Sequence, residues 1–326
     1  MAFKSQKWLI GSASVIALGC FLATPAVSAD LMDPMKPGPE RTVSGTFDFY
    51  GGWTFADADV HPGFHSFDSD YPLLGGAGRV DLPWSENMSV QLDVEGIAAF
   101  TDGTEDGAGP SESDNYGGGA VAAAHLNYRE VDQFLIGLFG GAGVAAVNDT
   151  NSTGQDPAIY FVGVEGQMYF GDITLYGQVG FLDSDADSTN EALSNAVFVR
   201  GVGRFYFGGG HTMLEGEVSY TSGDQDEGGG ATDDVDIIGW GGQLVHQFHN
   251  WGNDGYIAGF LQYRGNHYEE DDPGGPDGET TEHTIMVGLT VGLNQYSLKT
   301  TERTGVALDL PDFTRQVSVT TSVDDD

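Results

Sequence analysis

Cysteine is almost missing from this chain of 326 residues: the single one, Cys20, sits in an apolar N-terminal run. Basic residues are scarce too, with 12 Lys and Arg against 49 Asp and Glu and a formal charge of −37. No lysine occurs between Thr42 and Leu298. So acidic a chain excludes ordinary nucleic-acid binding, which needs cations to neutralise phosphates. Helical periodicity is the third absence, and no apolar run after Trp8–Leu22 approaches the length of a membrane helix. Acidity of this degree can mean disorder, but 19 Phe, 13 Tyr and regular apolar alternation argue for a folded chain. The 50 glycines exceed an average share and need a structural use.

Lys4 and Lys7, the apolar run and the small residues Ala26-Val27-Ser28-Ala29 form the parts of a secretory signal peptide. Cleavage after Ala29 removes residues 1–29 together with Cys20, so disulfides and cysteine-ligated metals are excluded from the mature chain. Residues 30–41, beginning DLMDPMKPGPE, read as an extended Pro-rich linker.

From Thr42 the pattern has period two. In SVQLDVEGIAAF (89–100) Val90, Leu92 and Val94 alternate with Ser89, Gln91, Asp93 and Glu95. Segments of this kind predict twelve strands, near 42–56, 71–82, 88–100, 116–129, 133–147, 158–170, 173–181, 194–207, 211–221, 236–249, 255–267 and 283–298. The connections after the second, fourth, sixth, eighth and tenth are short (PWSEN, EVD, GD, GGG, NWGND), and the others are long and polar. Strict parity, an even count and strands long enough for the ~9–11 residues that cross a tilted bilayer predict an all-β fold, a transmembrane antiparallel up-and-down barrel. One face collects Phe47/Phe49/Trp53/Phe55, Val197/Val199/Phe205/Phe207 and Ile285/Val287/Leu289/Val291. The other carries Asp48, Gln91, Asp93, Glu95, His125, Asn127, Arg129, Glu165, Gln167, Arg200, Arg204, Glu215, Glu217 and Gln243. The apolar face belongs outside, in lipid, and the polar one lines the interior. The fifth and eleventh strands are apolar on both faces, so their phase stays open.

On these features the chain resembles Gram-negative outer-membrane β-barrel proteins of the porin-like group, over residues 42–298. The start Ala29-Asp30-Leu31 with its Pro-rich leader is similar to small alphaproteobacterial barrels. The resemblance implies location in the cell outer membrane, short turns and both termini in the periplasm, and long acidic loops outside. It also implies outer-membrane lipids, lipopolysaccharide and the barrel-assembly machinery as partners. Such barrels end on an aromatic residue of their last strand, whereas residues 299–326 follow here, which implies an internal assembly signal. We assign 299–326 as a periplasmic tail; insertion into the lumen and a partner-binding arm are the alternatives.

The six long loops, 57–70, 101–114, 148–157, 182–193, 222–236 and 268–282, hold 28 acidic residues and no Lys or Arg. Asp183, Asp185, Asp187, Glu269, Glu270, Asp271 and Asp272 are the densest groups. One mouth therefore concentrates cations within about 8–10 Å, a Debye length. An arginine facing lipid costs ~2–4 kcal/mol, so Arg129, Arg200 and Arg204 point inward. With Asp93, Glu95, Glu165, Glu215 and Glu217 they are the candidate pore-lining or constriction residues. The same charges could equally neutralise one another in a filled lumen.

Other constellations are weaker. DSDADSTNE (183–191) lacks the glycine and glutamate of a calcium loop, so weak Ca²⁺ or Mg²⁺ contact there or at EEDDPGGPDGE competes with simple solvation, and no resident metal or cofactor is expected. His246 and His249 fall on opposite strand faces. No His-x-Ser spacing of a barrel phospholipase occurs, and no enzyme is expected. The sequence thus predicts a channel for passive diffusion of small hydrophilic solutes, with cations favoured. The alternative is a non-conducting structural or surface-interaction barrel whose acidic loops bind divalent cations or partners.

Overall fold

The computed structural model describes residues 41–59, 69–103, 113–148, 157–185, 192–227, 231–271 and 278–319. The leader, nearly all of the linker and the central parts of the long loops, including Asp187 and Asp272, lie outside the described residues.

The strands are β1 (Ser44–Asp59), β2 (Ser69–Pro83), β3 (Met88–Gly103), β4 (Ser113–Glu130), β5 (Phe134–Asn148) and β6 (Ala158–Phe170). They continue as β7 (Ile173–Ser184), β8 (Leu193–Phe207), β9 (Thr212–Glu227), β10 (Ala231–Asn250), β11 (Gly255–Asp271) and β12 (Gly278–Leu293). Each pairs antiparallel with its sequence neighbours, and β1 closes the barrel on β12 through pairs such as Phe47↔Val291. Closure leaves no unpaired edge, the condition for crossing a medium without hydrogen-bond partners.

The direction of alternation is settled by exposure. Phe49, Leu92, Val94, Val197, Val218 and Val287 are exposed on the outer wall, whereas Gln91, His125, Asn127 and Arg129 on the inner wall are fully buried. The barrel is thus turned inside out relative to a soluble domain, with its apolar belt outward. Several glycines fit this wall by leaving room for a ring from the next strand. A Cβ at Gly75 would meet the Tyr50 ring, at Gly180 the Phe198 ring and at Gly288 the Phe260 ring, each closer than 3 Å. Covering a strand glycine with a cross-strand aromatic restores packing while it lets the wall curve. The tight turn at Gly208–Gly209–Gly210 needs φ of 62°, 74° and 88°, conformations that only glycine adopts cheaply.

Strands run further than the sequence pattern indicates at the long-loop ends: β9 reaches Glu227, β10 starts at Ala231 and β12 at Gly278. Apolar alternation fades there because the outer face turns polar as well, with Asp234, Asp236, Glu269 and Glu279 on it, although ladder hydrogen bonding continues. Glu282, counted above with a loop, is therefore an inner-wall residue of β12.

The tail departs from its assignment as a periplasmic extension. β12 ends at Leu293, not Leu298, because Asn294 takes a left-handed conformation (φ 56°) and its side-chain amide donates to Val43 O at 2.8 Å. Two short helices follow, α1 (Leu298–Thr304) and α2 (Phe313–Val319), joined by an extended segment. Ser297 caps α1 by accepting from Thr300 N. Lys299 pairs with Asp172 in the β6–β7 turn at 2.8 Å, fixing α1 at the short-turn end. α2 packs on β4, β5 and β6 further along the lumen. The segment enters at the short turns and runs through the barrel as an internal plug.

Candidate functional site

The inner wall provides hydrogen-bond partners for an extended backbone that has no strand beside it. Gln91 Oε1 accepts from Ala307 N at 3.1 Å and Leu308 N at 3.3 Å, and its Nε2 donates to Leu308 O at 2.8 Å. Gln167 donates to Ala307 O at 2.8 Å and Gln178 to Asp309 O at 2.9 Å. These amides satisfy main-chain groups that burial would otherwise strand.

Charge pairing dominates the middle. Arg200 pairs with Glu217 and Arg204 with Glu215, both at 2.6 Å, across the β8–β9 ladder. The plug joins both pairs: Asp309 accepts from Arg200 at 2.6 Å and Arg204 at 2.8 Å, one carboxylate oxygen to each. Glu302 of α1 accepts from Arg204 at 2.9 Å, and Asp312 lies 3.2 Å from Arg264. Burial alone would raise the Asp309 carboxyl, but Arg200 and Arg204 override it and hold the group below the usual carboxylate range.

A carboxylate with a depressed docked pKa contributes its full stabilisation above its undocked pKa, near 3.9, and loses it as pH falls through the docked value. The plug is therefore expected to stay seated from pH 5 to 8 on account of this group and to loosen only below about pH 4. Protease sensitivity of the plug from pH 3 to pH 8 checks it. Release between pH 5 and 7 would point to a different titrating group.

The remaining sequence candidates are placed as follows. Asp93 lies 3.8 Å from Arg79 and 3.4 Å from His125, and Glu165 lies 2.7 Å from His125 and accepts from Tyr176 at 2.9 Å. Glu95 accepts a long bond of 3.4 Å from Tyr50. Arg129 is inside but apart from the Arg200–Arg204 cluster, and its guanidinium makes no hydrogen bond among the described residues. Asp183 accepts from Ser184 N and Asn195 N, each at 3.1 Å, at the β7–β8 end. Asp185, Glu269 and Asp271 are exposed at strand ends and Glu270 is half-buried. Asp48, Arg79, Arg264, Glu282 and the plug residues Glu302, Asp309, Asp312 and Arg315 join them in the charged interior, as do Asp81, Asp233 and Arg303. The Asp48–Arg79 pair, 2.6 Å apart on adjoining strands, is legible once inner-wall parity is known.

Between wall and plug lies a cavity of about 160 Å³ lined by Asp48, Arg79, Glu95, Arg200, Glu215 and Asp309 on its polar side. It has room for water, but the plug leaves no wide pore beside it. Further along, the plug is apolar. Phe313 is fully buried with its ring 4.6 Å from Phe161 and 4.9 Å from Phe198, and Phe139 stacks on His125 behind them.

No family model and no curated protein matches the chain. Among solved structures, an outer membrane channel from Pseudomonas putida F1 is 12% identical, with 80% of this chain and 100% of that chain covered and a TM-score of 0.51. A FadL homologue from Pseudomonas aeruginosa is 10% identical over 78% and 90% of the two chains, at a TM-score of 0.39. The toluene transporter TodX of Pseudomonas putida is 10% identical over 79% and 90%, at 0.38. The first likeness shows the fold: this chain is a closed antiparallel β-barrel, as that outer membrane channel is.

Proposed function

We propose that this protein is an outer-membrane channel for passive diffusion of small hydrophilic solutes, favouring cations, and that residues 294–319 hold it closed. The observation that carries this reading is the charge of the inner wall. Asp48, Asp81, Asp93, Glu95, Glu165, Glu215, Glu217 and Glu282 outnumber Arg79, Arg129, Arg200, Arg204 and Arg264. A lumen that served only as a filled core would be more stable with apolar side chains of similar volume. A water-filled conduit with net negative walls favours cations at close quarters. The acidic strand ends extend the same bias to the mouth, which we place outside the cell, with the short turns and both termini in the periplasm and residues 1–29 removed on export.

Recordings of the full chain in planar bilayers under a KCl gradient test this. Rare openings with a reversal potential toward that of K⁺ are expected. A chloride-directed potential would overturn the cation preference. Silence in the full chain and in Asp309→Asn would overturn the channel.

A second reading, a non-conducting barrel that binds divalent cations or partners at its rim, has its own observation. The registers place Asp236 opposite Glu269, Glu269 opposite Glu279 and Asp234 opposite Asp271. Like charges in opposed positions destabilise a sheet, and Ca²⁺ or Mg²⁺ would relieve them, bridging to lipopolysaccharide. Under this reading chelation lowers the unfolding temperature and leaves the bilayer silent.

A further inference from the structure

Arg200 and Arg204 each keep a wall carboxylate when the plug is discounted, but Glu282 does not keep a wall cation. Among the described residues its ion-pair partner is Arg315 of α2. Arg315 Nε donates to Glu282 Oε2 at 3.0 Å and an Nη donates to the other oxygen. The guanidinium carbon stands 5.0 Å from the centre of the Tyr71 ring, and the Tyr71 hydroxyl donates to Glu282 at 3.1 Å. A fork of donors on one carboxylate, backed by an aromatic ring, is how a protein holds a guanidinium group. Here the plug supplies the guanidinium and the wall supplies everything else.

The location gives the seat a use. Glu282 is near the Gly278 end of β12 and Tyr71 near the Ser69 end of β2, so both belong to the long-loop half of the lumen. A small void of about 20 Å³ is lined by Tyr71, Asp312 and Arg315 on the flank of this contact. A cation drawn in by the acidic strand ends would reach this carboxylate before the Arg200–Arg204 cluster.

The geometry points to a cation-binding seat on the inner wall, Glu282 with Tyr71, that takes a guanidinium or primary ammonium solute and is occupied at rest by Arg315. Such a solute competes with Arg315 and displaces α2. The inference builds on the channel reading, for which it names a solute class, but its test needs no current.

Calorimetric titration of the full chain with agmatine, an alkylguanidinium, reads the competition directly, with butylurea as the uncharged control. Arg315→Gln removes the internal competitor and is expected to bind agmatine at least tenfold more tightly than the native chain. Glu282→Gln combined with Arg315→Gln is expected to bind none, and butylurea to bind none in any variant. If the double variant fails to fold, as judged by loss of the heat-modifiable gel mobility of a closed barrel, Tyr71→Ala in the Arg315→Gln background serves instead. It keeps the carboxylate, drops the ring and is expected to weaken agmatine binding severalfold. Equal agmatine affinity in the native chain and Arg315→Gln overturns the seat, as does undiminished binding in the double variant or the Tyr71→Ala background. Tight binding to a barrel that never conducts would keep the seat and remove the channel reading. Conduction without agmatine binding would do the reverse.

Discussion

Replacing Asp309 by Asn is expected to turn a mostly closed barrel into one that opens readily. Among the described residues Asp309 is the one plug residue that bonds both Arg200 and Arg204, and Asn preserves its size while it removes the charge. Breaking a buried ion pair typically costs ~3–5 kcal/mol because an uncompensated charge is left behind. The cost is smaller here, since Arg200 retains Glu217 and Arg204 retains Glu215 and the Asp309 side chain is 21% exposed. About 2–3 kcal/mol is a reasonable expectation, which shifts the docked–undocked balance by roughly 30- to 150-fold. Open probability in planar bilayers measures it, and the heat-modifiable gel shift confirms that the barrel has folded. Arg204→Met with Asp309→Asn should be less than additive, since the two changes remove one contact. Unchanged gating in a folded Asp309→Asn barrel would mean that the plug is held by its other contacts, among them Phe313, the luminal amides and the Glu302–Arg204 and Arg315–Glu282 pairs.

The barrel was legible because its signal repeats. Every hairpin has one short and one long connection, and most strands set an apolar stripe against a polar one. The phase of β5 and β11 was not legible, and the plug is the reason. Leu135 and Phe139 of β5 point inward, and Phe139 packs against Phe198 in the apolar cluster that Phe313 completes. Tyr256, Ala258 and Phe260 of β11 likewise face an apolar cluster that includes Leu298 of α1. Where the interior holds protein, the inner face of a strand becomes apolar and period two loses its contrast. The inward direction of Arg200 and Arg204 followed from the cost of facing lipid, and Glu215 and Glu217 were candidate partners because they share the polar face of the alternation. Asp309, Glu302 and Arg315 had no such signal, because helices of seven residues and an extended link carry no periodicity. Their roles exist only once the barrel encloses them. Glu282 was recoverable: Thr280, Glu282 and Thr284 continue the inner-wall parity of β12, but the acidic surroundings masked it as loop.

The outward direction of the apolar face makes the second large prediction. Val287 of β12 is 60% exposed and pairs with Gly51 of β1 and Leu261 of β11, well inside the apolar belt. In a soluble protein Val287→Arg on so exposed a site would be nearly neutral, since a surface substitution usually changes stability by no more than about 0.5 kcal/mol. In a bilayer the guanidinium must enter hydrocarbon or snorkel from the middle of a strand, at a cost of ~2–4 kcal/mol. Val287→Leu, which only adds apolar volume to a lipid-facing site, should leave stability unchanged. Urea-dependent folding into vesicles measures both, because the unfolded reference then remains in water. The cost should fall when the same arginine is placed at Glu279, beyond the belt on the same outer face, where it would meet Glu269 across the ladder. A uniform small effect at 287 and 279 would mean that lipid does not surround this wall. A gradient that is steep at 287 and absent or reversed at 279 locates the edge of the hydrocarbon between them, and with it the level at which acidic strand ends leave the membrane.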